Sequence, residues 1–128
     1  MHFSAMWILE RRCRLLTDYF MQEIDVLEAK RRLDQPAPPR LIDVREHDEW
    51  TLCHIEGAEL LPLSQWPDIT GQKLTEPDEQ ILVYCHHGGR SARATQFLMR
   101  QGFTNVTNVA GGIDAWSLEI DPAVARYE

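Results

Sequence analysis

The chain has 128 residues, 44% of them hydrophobic and 26% charged, enough for one domain with a buried core and too few for two of ordinary size. A formal net charge of -7 argues against nucleic acid as a partner, because such binders meet phosphates with a basic face. Any anionic small substrate would need positive charge concentrated locally. Three cysteines, Cys13, Cys53 and Cys85, form no C-x-x-C pair, and an odd number does not suggest a disulfide framework, so a reducing compartment, the cytoplasm, is expected. The opening "MHFSAMWILERRCRLL" has an apolar patch of about five residues before Glu10, well short of a signal-peptide core or a membrane span. No membrane association is expected.

Taken in chain order, "DVLEAKRRL" starts with Asp25 as a candidate helix N-cap and places Glu28 three residues later, the capping-box spacing. It predicts a short amphipathic helix over 25–33. The loop "DQPAPPR" leads into the apolar run "LIDV", a candidate strand, and "REHDEW" suits one or two helical turns. "GAELLPL" and "ILVYC" are further candidate strands without polar alternation, as expected of a sheet covered on both faces. Between them, "SQWPDITGQKLTEPDEQ" is broken by Pro67, Gly71 and Pro77 and holds only a short helix and turns. "SARATQFLMRQGF" puts Ala94, Phe97 and Leu98 on one helical face with Gly102 as its stop, and "NVTNV" is a last candidate strand. Strands alternating with helices predict an α/β domain with a mostly parallel sheet, whose carboxyl edge is the usual place for a site.

The stretch "YCHHGGRSA" lies at such an edge. Cys85 ends an apolar strand, and a helix is expected to open near Ser91. Gly88 and Gly89 let the backbone turn its amides inward into an anion nest, and the positive end of the next helix adds to that field. The anionic form of a thiol is the form those dipoles stabilise. His86, His87, Arg90 and Arg93 add donors or positive charge, which predicts a small basic mouth on an acidic chain. The bland alternative is an inert buried cysteine, with the histidines serving only as loop backbone. A zinc site from Cys53, His54, Cys85, His86 and His87 has suitable residue types, but adjacent histidines rarely aim at one ion and paired ligand spacings are absent. No metal and no cofactor are expected. Cys53 as a resolving thiol for an oxidised Cys85 is a further hypothesis.

"CHHGGRS", with "LIDVRE" and "HIEGAELLPL" before it and "TNVTNVAGGIDAW" after it, resembles the rhodanese-like sulfurtransferases over about residues 22–120. The resemblance implies a central, mainly parallel five-stranded sheet with helices on both faces. It implies a double displacement in which Cys85 takes a sulfane sulfur as a persulfide and passes it to a thiophilic acceptor. His86, His87, Gly88, Gly89 and Arg90 would form the substrate-binding loop, supported by Ser91, Asp43 and Arg45. The implied partners are a small anionic sulfur donor such as thiosulfate and a thiol or protein acceptor. Residues 1–20 precede the usual start and are taken as an N-terminal extension, helical or mobile, with 21–128 as a single domain. Cys53 stands where the family commonly has glycine. Three rivals remain: a sulfur carrier for cofactor or tRNA thiolation, a phosphatase or arsenate reductase, and a non-enzymatic interaction module. Phosphatase-type loops hold five residues between cysteine and arginine, whereas four intervene here, His86 to Gly89.

Overall fold

Every strand among the described residues is short and pairs only in parallel. The structure, a computed structural model, describes residues 20–128; the expectations for Cys13 and for nearly all of the 1–20 extension lie outside them. The strands are β1 (Glu23–Ile24), β2 (Arg40–Asp43), β3 (Glu59–Leu60), β4 (Ile81–Tyr84) and β5 (Val106–Val109). They form one five-stranded sheet in the order β1-β5-β4-β2-β3, with each neighbouring pair parallel. The helices are α1 (Val26–Leu33), α2 (His47–Leu52), α3 (Asp68–Lys73), α4 (Gly89–Arg100) and α5 (Gly112–Glu119).

The two-residue period of a strand sorts the core into two layers. From β4, Ile81 and Val83 point to one side and, with Cys85 just beyond the strand, pack with Ala94 and Leu98 of α4. Leu82 and Tyr84 point to the other side, against Val26 and Ala29 of α1 and Ile113 and Trp116 of α5. Helices therefore cover both faces, as the absence of polar alternation in the strands required. Among the described residues no helix is long and apolar enough to cross a membrane.

Several local expectations are met with changes. Asp25 caps α1 by accepting from the Glu28 amide at 2.9 Å, but the Glu28 carboxylate binds Arg31 and Arg32 instead of returning to the helix start. "GAELLPL" contributes only two strand residues, although Leu61 and Leu63 continue to bond the carbonyls of Asp43 and Val44. Pro62 between them has no N–H to give. α4 begins at Gly89 rather than near Ser91, because Gly88 takes the N-cap position at φ +115°.

Candidate active site

The sulfur of Cys85 sits where β4 hands over to α4. Its Sγ accepts a hydrogen bond from the Gly88 amide at 3.1 Å, and the Ser91 hydroxyl lies 3.3 Å away as a second donor. The same hydroxyl is 3.2 Å from the Gly88 carbonyl, so its single proton serves one acceptor at a time. Cys85 is 1% exposed. Of the two glycines expected to shape this loop, only Gly88 has a left-handed backbone; Gly89 opens α4 with an ordinary φ, and a Cβ there would meet nothing within 4 Å.

The outer side of the loop rests on the start of α5. Ile113 N–H donates to the Cys85 carbonyl at 2.9 Å and Asp114 N–H to that of His86 at 3.1 Å. Such close approach requires Gly112, at φ +57°, because a Cβ there would overlap the Cys85 and His86 carbonyls. From β5, the buried Asn108 bridges Glu23 at 2.7 Å and the Gly88 carbonyl at 3.3 Å with its Nδ2. The loop is thus held through its carbonyls, which leaves the Gly88 amide to face the sulfur.

Arg90 does not point freely at the mouth. Its guanidinium makes a two-pronged pair with Glu49 of α2, at 2.7 and 2.8 Å. That pairing pulls the Glu49 carboxyl down to about 2 and pushes Arg90 up from its ordinary value. Glu49 also takes a 2.6 Å hydrogen bond from the Tyr127 hydroxyl, and the Tyr127 ring stacks on His86 at 3.9 Å. Burial, and then the bond to Glu49, push the Tyr127 phenol up to about 12. Burial also pushes His86 below the usual imidazole value. His87, 68% exposed, has its Nδ1 4.0 Å from the Asp114 carboxylate, which Arg126 holds at 2.9 Å. The expected basic mouth is therefore corrected: Glu49 and Asp114 offset its cations, while Arg93 lies exposed on α4.

Asp43 and Arg45 form an ion pair with both side chains 0% exposed, Nη2 to Oδ2 at 2.6 Å. Arg45 also reaches the Cys53 carbonyl at 2.7 Å and the Tyr127 hydroxyl at 3.1 Å. The pair therefore braces α2, the segment after it and Tyr127, and it also lies against Tyr84, the residue before Cys85, with Arg45 Cζ 5.7 Å from the Tyr84 ring centre. Cys53 packs against the core layer of α1 and α5, while Cys85 belongs to the opposite layer. That placement in different core layers gives the resolving-thiol hypothesis no support. Among the described residues no three His, Cys, Asp or Glu side chains are grouped so as to hold a metal ion, and His54 stacks on Trp50. Glu49 and Tyr127 were missed by sequence reasoning. For Glu49 the available signal was a carboxylate one helical turn after Arg45; for Tyr127 there was none. An open groove of about 820 Å³ lies elsewhere, between Leu33, Ile55 and Trp116, and no cysteine lines it.

Fold and site together define a class: a parallel α/β domain that presents one thiol in a tight strand-to-helix loop, its sulfur facing a backbone amide. A family model described as Rhodanese-like domain matches residues 25–119, and the chain belongs to that family. It is 36% identical over 114 residues to the Rhodanese-like/PpiC domain-containing protein 12, chloroplastic, of Arabidopsis thaliana, a match covering 84% of this chain and 38% of that protein. It is 35% identical over 99 residues to thiosulfate sulfurtransferase GlpE of Vibrio cholerae serotype O1, covering 77% of this chain and 90% of that protein. A crystal structure of a rhodanese-like domain protein from Staphylococcus aureus superposes with a TM-score of 0.71 at 29% identity, covering 84% of this chain and all of that one. The chain thus spans well under half the length of the chloroplast relative.

Proposed function

We propose that this chain is a sulfurtransferase that carries a sulfane sulfur on Cys85. The observation that supports it most is the environment of Sγ, with the Gly88 amide at 3.1 Å and the Ser91 hydroxyl at 3.3 Å beside the start of α4. Donors fixed in that way stabilise a negatively charged sulfur without having to reorganise.

In the first half-reaction the Cys85 thiolate attacks the outer sulfur of the donor. With thiosulfate, the S–S bond of the donor breaks, its electron pair leaves with sulfite, and a Cys85 persulfide anion remains. In the second, an acceptor thiolate or cyanide attacks the outer sulfur of that persulfide. The new bond forms on the acceptor, and the thiolate of Cys85 is regenerated. Asn108 and the first amides of α5 hold the loop carbonyls away from the sulfur throughout. Because Cys85 is 1% exposed, the loop leaves room beside the sulfur for no more than the terminal atom of a donor. The Arg90 to Glu49 pair disfavours the phosphatase rival, whose arginine must be free to grip an oxyanion.

Steady-state kinetics with a sulfur donor and cyanide test the reading. Double-displacement chemistry gives parallel double-reciprocal lines and no turnover in Cys85→Ser. Thiocyanate formation that survives in Cys85→Ser would overturn it.

A further inference from the structure

The loop from Cys85 to Arg90 carries one guanidinium, and an anionic donor is expected to meet it. The structure gives that guanidinium a different partner. Both outer nitrogens of Arg90 are engaged by Glu49 at 2.7 and 2.8 Å. Glu49 is itself fastened by the Tyr127 hydroxyl at 2.6 Å and by the Glu46 amide at 3.2 Å. Tyr127 is braced in turn by Arg45 and lies beyond residues 25–119, the part that matches the family model.

We propose that Glu49, fastened on Arg90 by Tyr127, sets donor choice: it disfavours dianionic inorganic donors such as thiosulfate and favours sulfur presented on a thiol. This rests on the sulfurtransferase reading above. A dianion entering beside Arg90 meets a guanidinium already neutralised by a carboxylate, and must share it with a like charge or displace it. A persulfide R–S–S–H brings one negative charge or none to the reacting atoms. The Cys85 thiolate attacks its outer sulfur, the donor S–S bond breaks, and R–S⁻ leaves with the electron pair, so charge and electrons balance without another reactant. Glu49 does not touch the reacting sulfur; it acts through Arg90 as a positioning residue.

The test compares thiosulfate and cysteine persulfide as donors to wild type and Glu49→Gln. Glutamine keeps the size of the side chain and an oxygen for the Glu46 amide and one Arg90 nitrogen; it removes the charge and replaces the acceptor that serves Tyr127 and the other Arg90 nitrogen by an NH2 donor. The expected result is a thiosulfate KM lowered roughly three- to tenfold in Glu49→Gln with kcat nearly unchanged, and a persulfide KM shifted by less than about twofold. The variant's thiosulfate KM should also become salt-sensitive, because its exposed attraction is no longer offset. Tyr127→Phe, which keeps the stack on His86, should shift the thiosulfate KM in the same direction by less. Equal changes with both donors, or a raised thiosulfate KM, would overturn the inference while leaving the sulfurtransferase reading intact. If neither donor loads wild-type Cys85, both fall.

Discussion

Replacing Gly112 by alanine should damage the site from behind. Gly112 stands at φ +57°, and its added Cβ would lie 2.5 Å from the His86 oxygen and 2.7 Å from the His86 carbonyl carbon, and closer still to the Cys85 oxygen. Those carbonyls cannot simply retreat, because the amides of Ile113 and Asp114 hold them at 2.9 and 3.1 Å. A left-handed backbone costs alanine about 1–2 kcal/mol, and overpacking adds about 1–3 kcal/mol. The expected loss is about 2–5 kcal/mol, or a Tm lower by roughly 8–20 °C for a domain of this size. Gly89→Ala is the matched control, since its φ is ordinary and nothing lies within 4 Å of the new Cβ. It should stay within about 0.5 kcal/mol or gain slightly from a less flexible unfolded chain. Both are read by urea and thermal unfolding of the two variants beside wild type. If Gly112→Ala lies within about 1 kcal/mol of wild type, the close packing of α5 on the loop is refuted.

The Glu49 to Arg90 pair predicts a pH dependence of stability. Arg90 depresses the Glu49 carboxyl from 4.5 to about 2 in the folded chain. Its contribution is therefore fully present above about 4.5 and is lost as pH falls through about 2. With Arg90 32% exposed, solvent screening reduces that contribution to about 1–2 kcal/mol. Urea midpoints measured between those pH values should fall more steeply in wild type than in Glu49→Gln, and parallel curves would count against the pair. Arg45→Ala should cost about 3–5 kcal/mol by chemical denaturation, because it leaves Asp43 charged and buried without its partner. Arg45→Lys should recover less than half of that loss, since one ammonium cannot serve Asp43, the Cys53 carbonyl and Tyr127 together. A lysine variant as stable as wild type would contradict the assigned role of the guanidinium.

Much of the scaffold was legible because its signals are local. The run Ile81 to Cys85 shows in its composition that both faces of its strand are covered. Asp25 announces the start of α1, and Gly102, left-handed at φ +99°, stops α4. The opening of α4 was placed late because Gly88 caps it by backbone conformation, without a capping side chain. The site was legible as far as Cys85, Gly88 and Ser91, which lie within seven residues of one another. Its charge balance was not. In "REHDEW" Glu49 looks like one more acidic residue on a solvated helix, and only the packing of α2 brings it to Arg90. Tyr127 reaches His86 because the chain end folds over the loop, a long-range contact that no local pattern encodes. Reading the mouth as basic counted the residues of the loop and omitted the carboxylates brought to it from α2 and α5.

Intact-mass measurement after exposure to a sulfur donor tests the central claim most directly. The account predicts a gain of one sulfur, about 32 Da, on wild type, with removal by cyanide or a thiol and no gain on Cys85→Ala. A gain retained in Cys85→Ala, or none on wild type from either thiosulfate or cysteine persulfide, would contradict it.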